Sequence, residues 1–145
     1  MPSFPRKYLA AILLLLSAFT MIGAAETRIE RFKEGDWEDD IGYRQAVRVG
    51  QLLYISGAAA SGEMPDAIRG VYESLEKTLK AHGLSFKNIV KENIYTTNLD
   101  ALKANQPLRR SYYGKDFPAA TWVQVARLYQ ADQVLEVELI AVFPE

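Results

Sequence analysis

The stretch from Pro65 to His82 sets the terms for the whole chain. Ile68, Val71, Tyr72, Leu75 and Leu79 recur there at helical spacing and make one apolar stripe. Gly83 follows where a helix stops most readily. Such a stripe needs a surface to lie on, and the segments around it read as strands. Tyr43 to Val49 alternates in part, Gly50-Gln51 breaks it, and Leu52 to Ser56 is a continuous apolar run. That pattern predicts a hairpin whose second strand is buried on both faces. Ile89 to Thr97 reads as a further strand and Thr27 to Phe32 as a weak edge strand. Asn98 to Asp100 turns the chain, and Asn105 caps a second helix with Pro107 in its first turn and Gly114 at its end. Leu108, Tyr112 and Tyr113 of that helix would face the sheet. Ala119–Leu128 and Val134–Val142, joined by residues 129–133, read as a long closing hairpin. Two helices on one face of a mixed sheet make an α+β layer domain.

The first 25 residues belong to a different category. Arg6 and Lys7 precede an apolar run from Tyr8 to Ile22, which ends on Gly23-Ala24-Ala25. A basic start, an apolar centre and a small-residue end describe a secretory signal peptide. The run is shorter than the ~20 residues that span a bilayer comfortably. Residues 1–25 are therefore expected to be a leader and 26–145 the domain, with no stable membrane anchor after cleavage and a periplasmic or secreted destination. Loss of Arg6 and Lys7 takes the net charge from −1 to −3. A mildly acidic chain lacks the clustered basic surface that nucleic acid requires, so no nucleic-acid partner is expected. Arg109-Arg110 is the only adjacent basic pair of the domain and reads as an exposed helix face.

Residue types narrow the chemistry further. There is no cysteine, which removes disulfides, thiolate metal sites and cysteine nucleophiles. The one histidine, His82, sits in the last turn of the first long helix, where a cap-and-surface role suits it. The serines are left without a base, and a serine hydrolase is disfavoured. Glu34, Asp36, Glu38, Asp39 and Asp40 cluster around Gly35 and Trp37 without the ligand pattern of a calcium loop, and read as a solvated acidic loop. No metal site is expected. Gly57 opens a small-residue stretch, Ala58 to Gly62, where backbone can approach something closely.

The C-terminal third resembles the Rid family, the reactive intermediate deaminases also called YjgF-type proteins. The resemblance is carried by Phe117-Pro118-Ala119-Ala120-Thr121-Trp122-Val123-Gln124-Val125-Ala126-Arg127-Leu128 and by Leu135-Glu136-Val137-Glu138-Leu139-Ile140-Ala141. Ile41-Gly42-Tyr43, Tyr54-Ile55-Ser56-Gly57, Val90 to Tyr95 and Asn98-Leu99 resemble earlier family segments in the same order. The resemblance implies a chorismate-mutase-like α+β subunit, a homotrimer, and ligand clefts between subunits. It implies hydrolysis of imines or enamines derived from amino acids, without metal or organic cofactor. Apolar Leu52, Ile55, Val123, Val125, Val137 and Leu139 exceed what two helices cover, which also asks for a partner copy.

Carried over residue by residue, the resemblance makes Glu136 the water-orienting carboxylate and Tyr43 the tyrosine that closes the site. Gly57 takes the backbone position near the substrate, and Gln106 or Asn105 the place of an asparagine at the second helix start. The arginine that grips the substrate carboxylate falls on Ala120. A guanidinium–carboxylate pair is strong and directional, and alanine cannot replace it. On a strand, Trp122 points the same way as Ala120. Tyr113 is a further candidate for the pocket floor beside Trp122 and Tyr43. Arg127, Arg44 and Arg48 are the other cations weighed, none well placed. Two readings stay open. In one, the cleft has changed its substrate class. In the other, Trp122 fills the vacated space and leaves a non-catalytic, small-molecule-binding or holdase-like trimer. Glu136 and Glu138, two apart on one strand face, could equally pair with cations across an interface. Ribonuclease activity, sometimes attached to the family, ranks lowest.

Overall fold

Residues 27–145 are described by the structure, a computed structural model. The leader assigned to residues 1–25 lies outside them. In chain order the elements are β1 (Ile29–Phe32), α1 (Trp37–Ile41), β2 (Ala46–Val49), β3 (Leu52–Ser61), α2 (Met64–Ala81), a 3₁₀ turn (Phe86–Asn88), β4 (Ile89–Thr96), α3 (Leu99–Ala104), α4 (Gln106–Tyr113), β5 (Ala119–Gln124) and β6 (Gln133–Val142). The six strands form one mixed sheet in the order β1-β2-β3-β6-β4-β5. All neighbours are antiparallel except β4 and β5.

The predicted stripe is the core. Ile68, Val71, Tyr72, Leu75 and Leu79 of α2 are all buried, and α2 lies across β3 and β6. Leu135, Val137, Leu139 and Ala141 of β6 meet it from below, every second residue. Leu53, Ile55 and Ile94 complete the layer. Fully burying one such side chain contributes about 1.5–3 kcal/mol. Ile55, Val137 and Leu139 are thus covered within the subunit, contrary to the sequence expectation that they would need a partner. Val123 and Tyr54 do remain exposed. The second hairpin strand is likewise buried on one face only.

Three further expectations give way. The closing hairpin does not form, because β5 runs parallel to β4 at the sheet edge and β6 inserts between β3 and β4. The strand with apolar residues at every second position takes the central slot, while β5 is exposed throughout. The turn at Asn98 is a helix start: its side chain accepts the Ala101 N–H at 3.0 Å. The helix expected after Asn105 is α4, with Pro107 in its first turn and Gly114 after its end, and α3 is a short additional helix before it. The acidic loop contains α1, and Glu38 within it is fully buried. Its carboxylate accepts the N–H groups of Glu34 at 2.6 Å and Gln45 at 2.8 Å, tying α1 to the entry of β2.

His82 follows α2 and sets its ring edge-on against Phe32, with centroids 4.5 Å apart. Burial, and secondarily Arg48, push its pKa below the ordinary value. The ring therefore favours the neutral form, and the welcome expected for a positive charge there is not its main role.

Candidate active site

Strand β3 carries one extra residue. Ile55 pairs with Leu139 and Ala58 with Val137, so Ser56 and Gly57 together stand opposite Glu138. This bulge bends the strand and resets its alternation. Beyond it Ala58 and Ala60 turn to the helix side, where both pack on the core. Ser56 is held by its Oγ donating to the Arg44 carbonyl at 2.7 Å. Gly57 leaves a gap that the Glu136 side chain occupies. A Cβ at position 57 would come within 2.9 Å of Glu136 Cγ and Cδ. Only glycine permits that contact.

Glu136 and Gly57 line a cavity of about 540 Å³ on the sheet face opposite α2, together with Trp37, Tyr43, Ala59 and Tyr129 among others. Tyr43 lies just before β2 and stacks on Trp37, centroids 5.6 Å apart and planes 22° from parallel. Burial, and then the neighbouring Glu138, raise the pKa of the Glu136 carboxyl. The two acids are served differently. Glu138 accepts from Asn93 Nδ2 at 2.6 Å and from the Tyr95 hydroxyl at 3.1 Å. Glu136 accepts no hydrogen bond among the described residues and is the freer to handle a proton.

The other predicted residues assemble elsewhere. Gln106, Ala120 and Trp122 line a second cavity of about 340 Å³, with Arg109, Arg110, Phe117 and Pro118. It lies on the helix side of β5, so within one subunit it is separated by the sheet from Glu136, Tyr43 and Gly57. Arg44 is engaged with Asp39, and Arg48 with the Gly50 carbonyl and the Phe143 ring. Arg127 lines a pocket with Glu136 and Glu138, and no ion pair joins it to either among the described residues.

Two guanidinium side chains, Arg109 and Arg110, line the cavity beside Ala120, and sequence reasoning placed both on an exposed helix face; Arg109 is the one turned inward. It is 3% exposed. Its Nε and Nη2 both donate to Oε2 of Glu92, the Cα partner of Ala120 across the β4–β5 ladder. Three more donors converge on the same carboxylate: the hydroxyls of Tyr72 and, at 2.7 Å, Tyr113, and Trp122 Nε1 at 3.2 Å. The Arg109 guanidinium also lies 4.7 Å from the Trp122 ring centroid. Burial, followed by the Glu92 charge, raises the pKa of both tyrosines, which stay protonated donors. Trp122 is thus pinned to an internal ion pair, and Tyr113 belongs to that cluster and not to the Tyr43 cavity. Glu92 was not anticipated. A charged residue between Val90 and Ile94 on a buried strand was the available signal, since an acid there must find a partner.

Comparison with known proteins agrees with fold and motif order. Residues 38–143 match the family model described as endoribonuclease L-PSP. The chain belongs to this family, also called YjgF or Rid. The 2-iminobutanoate/2-iminopropanoate deaminase of Capra hircus is 34% identical over 111 residues, covering 69% of this chain and 79% of that protein. The human protein of the same name is 28% identical over 109 residues, with the same two coverages. Among solved structures, a YjgF/YER057c/UK114 family member from Mycobacterium tuberculosis superposes with a TM-score of 0.73 at 24% identity, covering 80% of this chain and all of that one. Escherichia coli TdcF, solved with bound serine, gives 0.64 at 27% identity, covering 70% and 88%.

Proposed function

We propose that this is an exported imine or enamine hydrolase whose substrate does not depend on a carboxylate grip from β5. Glu136, unpaired and seated on the Gly57 bulge, carries the reading. As a carboxylate it takes a proton from a water that attacks the C=N carbon. The resulting carbinolamine gives up its nitrogen as ammonia once that nitrogen is protonated, and a carbonyl compound remains. Tyr43 lines the site, with Trp37 stacked on it at the rim. The names of the deaminase relatives support C–N hydrolysis; Ala120, with Arg109 already committed to Glu92, supports the change of substrate. The assembly we propose is a homotrimer, with the sheet face opposite α2 inside and ligand clefts at subunit boundaries. Light scattering on the domain should return three times the chain mass, and a monomer at micromolar concentration would count against it.

The test uses 2-iminopropanoate generated by an amino-acid oxidase, followed by ammonia release. Turnover should sit near background, whereas an imine without a carboxylate, generated by an amine oxidase, should be hydrolysed faster than in buffer. Robust 2-iminopropanoate turnover would overturn the altered specificity. One observation favours the second reading, a non-catalytic binding or holdase-like trimer: the anchoring of Trp122 to Glu92 and Arg109 makes that indole a structural plug. Failure on both substrates, with the trimer intact, would decide for it.

A further inference from the structure

We propose that the cavity of Glu136 recognises a cationic nitrogen, an ammonium or protonated imine bearing no acid group, and that Trp37 determines this preference. The inference rests on the reading of this cavity as the ligand site and adds the charge of its occupant. Among the described residues, Glu136 is the only charged side chain that one subunit contributes to the lining, which is otherwise aromatic, aliphatic, amide or glycine. Arg127, in the adjoining pocket with Glu136 and Glu138, leaves these three groups with a net negative charge. Within a single subunit Trp37 is 52% exposed and stacked on Tyr43, so an indole lies at the rim, and Tyr129, 81% exposed, lines the same cavity.

Aromatic faces are the negative pole of the ring quadrupole and attract a cation placed over them. An anion here would meet Glu136 and those same faces. A neutral group would gain apolar contact alone. Only a cation gains from both walls. The presentation of Trp37 is built in: Glu38 beside it is buried and bonded to two backbone N–H groups. Asp39 is paired with Lys33 and Arg44, which leaves Asp40 as the one exposed acid of α1 without an ion pair among the described residues.

The experiment is isothermal titration of the intact domain with choline and with its uncharged carbon isostere, 3,3-dimethylbutan-1-ol. Choline should bind saturably and the isostere at least about fivefold more weakly. Trp37→Leu should weaken choline by about 2- to 30-fold, the range of a cation–π contact, and leave the isostere unchanged. Trp37→Phe should retain part of the affinity, and Glu136→Gln should lose affinity for choline alone. Equal binding of the two probes, indifference of choline to Trp37→Leu, or tighter binding of pyruvate than of choline would overturn the proposal. Because binding is read without turnover, the claims separate. If choline does not bind yet a neutral imine is hydrolysed through Glu136, the charge preference falls and the hydrolase reading stands. If choline binds as expected while no imine is turned over, the hydrolase reading falls alone.

Discussion

Replacing Arg109 by methionine should destabilise the domain by about 3–5 kcal/mol, the usual consequence of stranding one member of a buried ion pair. Glu92 is fully buried and cannot recover water when the guanidinium leaves. Tyr72, Tyr113 and Trp122 would still donate to it, but three neutral donors do not balance a charge in the interior. A domain of this size has only about 5–15 kcal/mol in total, so the variant should unfold at much lower urea or fail to accumulate. Adding Glu92→Gln to Arg109→Met should be far less damaging than the sum of the two single changes, because the stranded charge is then gone. Circular dichroism during urea titration reads all three variants. A loss below about 0.5 kcal/mol for Arg109→Met, the level of an ordinary surface change, would contradict the burial of this pair.

Glu136→Gln should reduce imine hydrolysis by about 10²–10⁴-fold, the range for removing a general acid–base group. Stability should move the other way. The carboxyl pKa is raised above its ordinary 4.5 in the folded chain. The native state therefore holds this proton more tightly than the unfolded state, and stability falls as pH climbs from 4.5 through the raised folded value. Glutamine removes that loss, so the variant should melt no lower than the parent at neutral pH. In the parent, the acid limb of kcat/KM should lie above pH 4.5, because the base works only when ionised. Gly57→Ala should act like Glu136→Gln on turnover by pushing the carboxylate off its seat. Full activity of Glu136→Gln, or a marked drop in its melting temperature, would reassign this acid to a structural pairing role.

Much of this was legible in residue order. The stripe of α2 announced its own burial, and β1, β2 and β3 fell close to where alternation put them. Tyr43, Gly57 and Glu136, which the family resemblance put in one site, line one cavity. What stayed hidden was long-range. The pairing of β5 with β4 in place of β6 depends on which strand takes the centre of the sheet, and adjacency in sequence favours the wrong neighbour. Arg109 was hidden for a related reason. Its position on α4 resembles a surface residue until Glu92 arrives beneath it from another element. Glu38 illustrates the limit of composition: one acid of five turned inward because two backbone N–H groups needed an acceptor.

The spare residue in β3 couples two properties that would otherwise vary independently. With both residues kept but paired in regular alternation, every later position of that strand would turn to the opposite face. Ala59 would swing under α2 while Ala58 and Ala60 moved out beneath the guest molecule. The seat of the longest helix and the wall of the Glu136 cavity are therefore set by a single insertion. Losing Gly57 alone would leave Ala58, Ala59 and Ala60 on their present faces and would remove the side-chain-free gap in which Glu136 lies.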